Sequence, residues 1–373
     1  MEQLFINPYL VYVAAFFSAL FLAWISIPSI VHISRVKHLF DEPNGRSSHT
    51  EVTPSLGGVA IFSGFLISYL ILGDIGAKTF MPPVVAGMIV IFFMGLKDDL
   101  LVLDPKKKLV GQILVAALVV FLGDLRISNL NGLLHIHELN IYISYALSIF
   151  LIVMLTNAVN LIDGIDGLAS GTVFLAAFTF GIWFTVVGNI EGAILSFCLA
   201  GTLVAFFKFN VYGKRNKIFM GDTGSLLIGY LITIIAFRFN ELNIDQAIPY
   251  SVHAPTVVIF GILVVPIYDT LRVFVSRVMS GRSPFSPDKT HIHHRLLILS
   301  GSHRKATYII LFVNLCFIAL AFLLNALPST VLFFIIFTLA AILSYIPVIM
   351  MKNRQITIHT IHKRDKSRIR KSA

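Results

Sequence analysis

The stretch "IYISYALSIFLIVMLTNAVNLIDGIDGLAS", residues 141–170, decides the fold class. Residues 141–158 carry no charged side chain, and at about 1.5 Å per residue they are long enough to cross a hydrocarbon core of about 30 Å as a helix. The run then ends in Asn157, Asn160, Asp163 and Asp166, each three residues after the last, with Gly164, Gly167 and Gly171 among and behind them. If the segment stays helical, that spacing lines the four side-chain oxygens along one stripe. The glycines permit a tight turn where the helix breaks. Hydrocarbon does not tolerate such groups unsatisfied, so the segment reads either as a ligand cradle at a helix end or as the broken helix of a secondary transporter.

Similar apolar runs recur along the whole chain. Of its 373 residues 57% are hydrophobic and 13% charged, a balance outside that of soluble domains. The reading is all-α: a polytopic integral membrane protein of about eleven spans, near 9–31, 55–72, 82–96, 109–124, 141–158, 168–187, 191–209, 223–238, 254–275, 306–326 and 330–350. The opening "MEQLFINP" lacks a basic stretch before its apolar run and reads as an uncleaved anchor. With the loop 32–54 cytoplasmic, that side collects all of the 29 Lys and Arg except Lys78, Arg126 and Arg238, which predicts an N-out, C-in topology. The formal charge of +10 is then concentrated on one membrane face, where anionic headgroups and anionic substrates can meet it. No soluble domain is left to hold nucleic acid. Residues 1–351 form a single membrane domain, and the basic tail 352–373 reads as a disordered, headgroup-binding segment. Cys198 and Cys316 lie in apolar spans and read as small hydrophobes, with no disulfide framework.

The same face collects acids that the positive-inside rule does not explain: Asp98, Asp99, Asp163, Asp166, Asp222, Asp269 and Asp288. In "MGLKDDLLVLDPKKKLVGQ", residues 94–112, Asp98 and Asp99 repel one another unless a cation or a proton lies between them, and the lysines at 106–108 suit phosphate. In "FMGDTGSLLIGY", residues 219–230, Asp222 is either the cap of the following helix or a ligand for a hard divalent cation. In "SGRSPFSPDKTHIHHRLL", residues 280–297, the H-x-H-H pattern lacks the cysteines or the i, i+4 histidine pair of a zinc motif. Imidazoles beside Arg295 better suit an anionic, hydroxyl-rich ligand.

Taken in order, "DDLLVLDPKKK", "NAVNLIDGIDGLA", "FMGDTGS" and "SPFSPDKTHIHHR" resemble the polyprenyl-phosphate N-acetylhexosamine-1-phosphate transferases, relatives of the phospho-N-acetylmuramoyl-pentapeptide transferases. The likeness runs from "DEPNGRSSH" at 41 to Arg295, and "HIHHR" favours the sugar-phosphate branch over the muramoyl-pentapeptide branch. The first loop departs from it: Ser47 and Ser55 stand where many members carry basic residues.

The resemblance implies an enzyme of the bacterial cytoplasmic membrane with its cleft on the cytoplasmic face. It would pass N-acetylhexosamine-1-phosphate from a UDP-sugar to undecaprenyl phosphate and release UMP, starting a cell-envelope glycan. The implied cofactor is Mg²⁺, with Mn²⁺ as a substitute. Asp222 and Asn160 would hold the metal; Asp98, Asp99 and Lys108 would serve the lipid phosphate. Asp163 and Asp166 would line the nucleoside, and Asn157, His291, His293, His294, Arg295 and Arg46 would contact substrate. The implied partners are the UDP-N-acetylhexosamine, undecaprenyl phosphate and membrane lipids, with a homodimer as one oligomeric state. The rivals are a muramoyl-pentapeptide transferase and a transporter, whose carboxylates should lie nearer the bilayer midplane.

Overall fold

The computed structural model describes residues 7–41, 53–73, 80–281 and 291–369, the last with side chains up to residue 352. The chain is a bundle of helices with two short antiparallel ribbons. Helix α1 (Pro8–Val36) is followed by strands β1 (Phe40–Asp41) and β2 (Thr53–Pro54), which pair, and by α2 (Gly57–Leu72), α3 (Met81–Leu101) and α4 (Pro105–Leu122). The ribbon of β3 (Asn129–Leu133) and β4 (Ile136–Glu138) leads to α5 (Ile141–Ile162), α6 (Leu168–Val186), α7 (Ile190–Tyr212) and α8 (Gly221–Leu242). Helices α9 (Pro255–Ile262), α10 (Val264–Met279), α11 (Ile292–Ser300), α12 (His303–Leu323) and α13 (Ser329–Ile369) complete it.

Each of the eleven expected spans has its helix, but not each helix meets the demands of a span. Among the described residues seven are long and apolar enough to cross a membrane, or eight if a bent pair counts as one. The chain is a polytopic all-α membrane protein. Helix α2 has only 16 residues, α4 opens with Lys106, Lys107 and Lys108, and α3 closes on Lys97, Asp98 and Asp99. The expected span 254–275 is broken: α9 and α10 meet at an angle of 81°. Pro266 in the first turn of α10 has no N–H to give the Ile262 carbonyl, so α9 ends there and a new axis begins. Helix α13 runs without a break past residue 352, so the division there into span and basic tail rests on composition alone.

Helix α8 is the axis of the bundle. It is apolar on every side, with Leu226, Leu227, Ile228, Leu231, Ile232, Ile234 and Ile235 all fully buried, as a helix must be when neighbours surround it. Helices α2, α3, α5 and α6 pack on it. On the flank, α1 buries Ala15, Ala19 and Ala23 at every fourth residue where it packs on α2 and α7. The approach is close enough that a Cβ on Gly201 would lie 2.2 Å from the Phe16 carbonyl oxygen. The N-terminal end of α8, the C-terminal ends of α3 and α5 and the start of α4 therefore converge at one end of the bundle.

Candidate active site

Asp98 and Asp99 sit side by side in the last turn of α3, where a 100° step per residue sends them to different neighbours. Asp99 turns to α8. Its Oδ1 accepts the Asp222 N–H at 2.7 Å, and its Oδ2 accepts the Thr223 N–H at 3.0 Å together with the Thr223 hydroxyl. A carboxylate borrowed from another helix thus caps α8, whose own preceding residue, Met220, makes no side-chain cap. Gly221 opens the helix at φ +70°, and a Cβ there would stand 2.5 Å from Asp99 Oδ2, so this position calls for glycine. Asp222 is relieved of capping.

Asp98 turns to α4 and to the Asp222 side chain. Its Oδ1 accepts the Leu103 N–H at 2.6 Å and its Oδ2 lies 2.9 Å from Lys108 Nζ. Helix α4 starts where it does because Asp104 accepts the Lys106 N–H at 2.8 Å and Pro105 fills the first position, which places Lys108 one turn in. Lys108 Nζ also donates to Asp222 Oδ2 at 2.6 Å. The Asn160 amide donates to Asp222 Oδ1 at 2.6 Å and to Ser225 Oγ at 2.8 Å. Residues from α3, α4, α5 and α8 are thereby joined in one chain of contacts.

Asp163 follows directly, at the C-cap of α5. Burial, and then the charges of Asp222, Asp166 and Asp99, hold its pKa well above the usual carboxylate range. Burial also pushes Asp99 up to about 6, against the hydrogen bonds from Thr223 and the Asp222 N–H. For Lys108 burial favours the neutral amine, but Asp222 and Asp98 outweigh it and raise the pKa. Among the described residues Lys108 is the ammonium in ion-pair contact with this acidic group. Asp98, Asp163 and Asp222 gather carboxylates beside the Asn160 amide, which turns its NH₂ to Asp222; carboxylate oxygens are the donors that a hard divalent cation takes.

The stripe expected from Asn157 to Asp166 divides in three. Asn157 exchanges hydrogen bonds with Gln112 of α4, at 3.3 and 2.5 Å, and so locks two helices together. Asn160 and Asp163 face the acidic group. Asp166 lies beyond the end of α5 and turns elsewhere: its Oδ2 takes Lys217 Nζ at 2.8 Å, and its backbone N–H and carbonyl bond His303 at 3.3 Å and the Thr307 hydroxyl at 2.7 Å. Lys217, His303 and Gln112 were not singled out in the sequence. A glutamine in the middle of an apolar run was the one signal available.

The histidine motif opens α11. His291 Nδ1 lies 3.0 Å from Asp269 Oδ2 and His293 Nδ1 3.6 Å from the same oxygen. Asp269 Oδ1 accepts the Ile292 N–H and an Arg272 N–H, each at 3.0 Å. Ligand atoms of Asp269, His291 and His293 lie within 4.8 Å of one another, close enough for a metal ion. Burial lowers the His293 pKa, which keeps that ring neutral. The imidazole of His294 lies against that of His293, with ring centroids 4.3 Å apart and planes tilted by 47°, and Arg295 occupies the same turn. This motif meets the opening stretch at Gly164, where a Cβ would lie 2.5 Å from His293 Nε2. Arg46 and Asp288 lie outside the described residues.

The helix ends of this membrane bundle thus gather carboxylates, a lysine and imidazoles. Residues 81–240, which hold the whole acidic group, match the glycosyl transferase family 4. A probable undecaprenyl-phosphate N-acetylglucosaminyl 1-phosphate transferase of Bacillus subtilis is 33% identical over 88% of this chain and 88% of its own length. A decaprenyl-phosphate N-acetylglucosaminephosphotransferase of Mycolicibacterium smegmatis is 34% identical over 72% of this chain and 71% of its own. The undecaprenyl-phosphate alpha-N-acetylglucosaminyl 1-phosphate transferase of Escherichia coli K12 is 29% identical over 73% and 72%. The chain belongs to glycosyl transferase family 4. These relatives lend nothing to the muramoyl-pentapeptide or transporter readings.

Proposed function

We propose that the protein transfers N-acetylhexosamine-1-phosphate, with N-acetylglucosamine the first choice of sugar, from its UDP conjugate to undecaprenyl phosphate. The products are undecaprenyl-diphospho-N-acetylhexosamine and UMP, and the setting is the cytoplasmic face of a bacterial inner membrane with the N-terminus outside. The observation that carries this reading is the contact chain Asp98–Lys108–Asp222–Asn160 beside Asp163, four helices contributing to one surplus of negative charge. An oxygen of the lipid phosphate attacks the β-phosphorus of the donor; the bond to UMP breaks and the anomeric C–O bond is untouched. No base is required, because a phosphate monoester with a second pKa near 6 is already largely dianionic at pH 7.

Asp222 and Asn160, with Asp163 beside them, would hold Mg²⁺, which supplies charge neutralisation for two anions brought together. Lys108 bridges Asp98 and Asp222 and is placed to hold a phosphoryl oxygen between acceptor and donor. Asp98 keeps that lysine in place, and Asp99 does so for α8, so that Asp222 keeps its aim. His291, His293, His294 and Arg295, together with Arg46, would receive the sugar and the diphosphate. Purified protein with undecaprenyl phosphate, Mg²⁺ and a panel of UDP-sugars, assayed for lipid-linked product and UMP, tests the reading. Product with one UDP-N-acetylhexosamine, abolished by chelation and by omission of the lipid, is expected. UMP release without lipid would reject it.

A further inference from the structure

Gln112 is the one polar side chain of α4 beyond Lys108; it is 2% exposed, and the reaction described above makes no use of it. A primary amide among apolar side chains is costly unless its groups are paired, so its partners show what the position does. Its hydrogen bonds close on a single residue. Gln112 Nε2 donates to Asn157 Oδ1 at 3.3 Å, and Asn157 Nδ2 donates back to Gln112 Oε1 at 2.5 Å and onward to the Val153 carbonyl at 2.8 Å. Both N–H bonds of the Asn157 amide are spent within the protein.

Helices α4 and α5 lie antiparallel, the start of one beside the end of the other, so the next pair toward the acidic group is Lys108 and Asn160. Four residues of α4 and three of α5 cover about 6 and 4.5 Å of rise. Lys108 Nζ and the Asn160 amide take Oδ2 and Oδ1 of the same Asp222 carboxylate. The two rungs are thus tied: a slip of α4 by one residue, about 1.5 Å along its axis and 100° around it, would turn Lys108 from Asp222. Among the described residues of α4 beyond Lys108, the amide pair is the side-chain contact with a fixed direction that resists such a slip. Toward α3 the neighbouring Gly111 faces the Met94 thioether, where a Cβ would lie 2.7 Å from Sδ, and a flexible thioether accommodates more than one register.

We propose that Gln112 is a positioning residue: paired with Asn157, it fixes the register of α4 against α5 and so keeps Lys108 on Asp222. What Lys108 touches there in turnover, a phosphoryl oxygen, rests on the transferase reading above. The test is a double-mutant cycle of Gln112→Met, close to glutamine in volume, with Lys108→Gln. Purified variants are assayed for kcat and both KM values, and acylation of Lys108 by an amine-reactive ester is followed by mass spectrometry. Gln112→Met should lower kcat roughly 10- to 100-fold with little change in either KM, because a displacement of about 1 Å beside the reacting phosphates is enough. In the Lys108→Gln background the same substitution should cost no further kcat. Lys108, released from its carboxylates, should be acylated several times faster than in wild type. Exchange of the two side chains, Gln112→Asn with Asn157→Gln, should restore most of the kcat that Gln112→Asn alone loses. An equal loss of kcat in both Lys108 backgrounds would make Gln112 a stabiliser of the bundle and overturn the proposal, as would unchanged Lys108 acylation in folded Gln112→Met. If Gln112→Met does not fold, Gln112→Asn takes its place in the cycle with the same outcomes. A wild type that yields no product from any UDP-sugar would reject the transferase reading, while acylation would still report whether Gln112 holds Lys108.

Discussion

The two ends of α8 are both polar, and they are polar in different ways. Its 22 residues separate them by about 33 Å. At the far end Asn240 donates to the Asn129 carbonyl at 3.0 Å and accepts from Thr256 at 2.8 Å and Asn131 at 3.3 Å. Glu241 accepts the Ser128 N–H at 3.0 Å and its hydroxyl at 2.7 Å, and Asn243 accepts the Val252 N–H at 2.5 Å. Amides and the one carboxylate there meet backbone groups and hydroxyls of the β3–β4 region, the loop before α9 and the start of α9, so each polar atom named closes a hydrogen bond within the fold. At the near end, carboxylates meet one another and share a lysine, and their charge is not cancelled. Polar groups that satisfy backbone make an anchor; like charges held together are the mark of a candidate site, because a cation, a proton or an incoming ligand must relieve them.

The difference can be broken most sharply at Asp222. Asp222→Asn should leave folding and insertion intact, since Asp99 and not Asp222 caps α8, but should cut turnover on the order of 100-fold or more at every Mg²⁺ concentration. Near-normal kcat across a Mg²⁺ titration would return Asp222 to the class of anchors. Arg295→Ala comes next: KM for the UDP-sugar should rise roughly 10- to 100-fold, equivalent to about 1.5–3 kcal/mol, with a smaller loss of kcat and an unmoved lipid KM. An impaired lipid KM with an unchanged donor KM would assign the α11 turn to the wrong substrate.

Asp99 sharpens the comparison, because it is an anchor placed within the site. Asp99→Asn should cost about 1–2 kcal/mol as a lost cap and lower kcat only to the extent that α8 shifts. The pH dependence carries a definite sign. Burial raises the folded-state pKa of Asp99 to about 6, above an unfolded value near 4, so the folded protein binds the proton more tightly. Its contribution is therefore most favourable at low pH and is lost as pH rises through about 6. The melting-temperature gap between wild type and Asp99→Asn should widen in favour of wild type from pH 7 to pH 5; a gap that narrows would contradict the raised pKa. The smallest effect on chemistry belongs to the far end. Asn240→Leu leaves the Asn129 carbonyl and the Thr256 hydroxyl with only a long contact each from Asn131, at 3.4 Å, and should cost about 1–3 kcal/mol of stability, with both KM values and kcat per folded molecule unchanged. A change in either KM would show that the two ends of α8 communicate.

Sequence alone determined that this is an all-α membrane protein, and which short segments set carboxylates at the ends of its apolar runs. Both follow from local properties: runs such as 141–158 cannot be wetted, and Asp98, Asp163 or Asp222 cannot be tolerated beside them without a purpose. Tertiary structure decided what those residues do for one another. Adjacent Asp98 and Asp99 could not be told apart until Lys108 of α4 reached the one and the N-terminal N–H groups of α8 the other. Asp166 shared a spacing with Asn160 but lost its company when α5 ended at Ile162 and Lys217 and His303 arrived from distant segments. Asp269 and the histidines are separated by more than twenty residues of sequence and meet only because the chain bends by 81° between α9 and α10. A spacing fixes which residues can share a face; which partner waits opposite that face depends on packing between helices far apart in the chain.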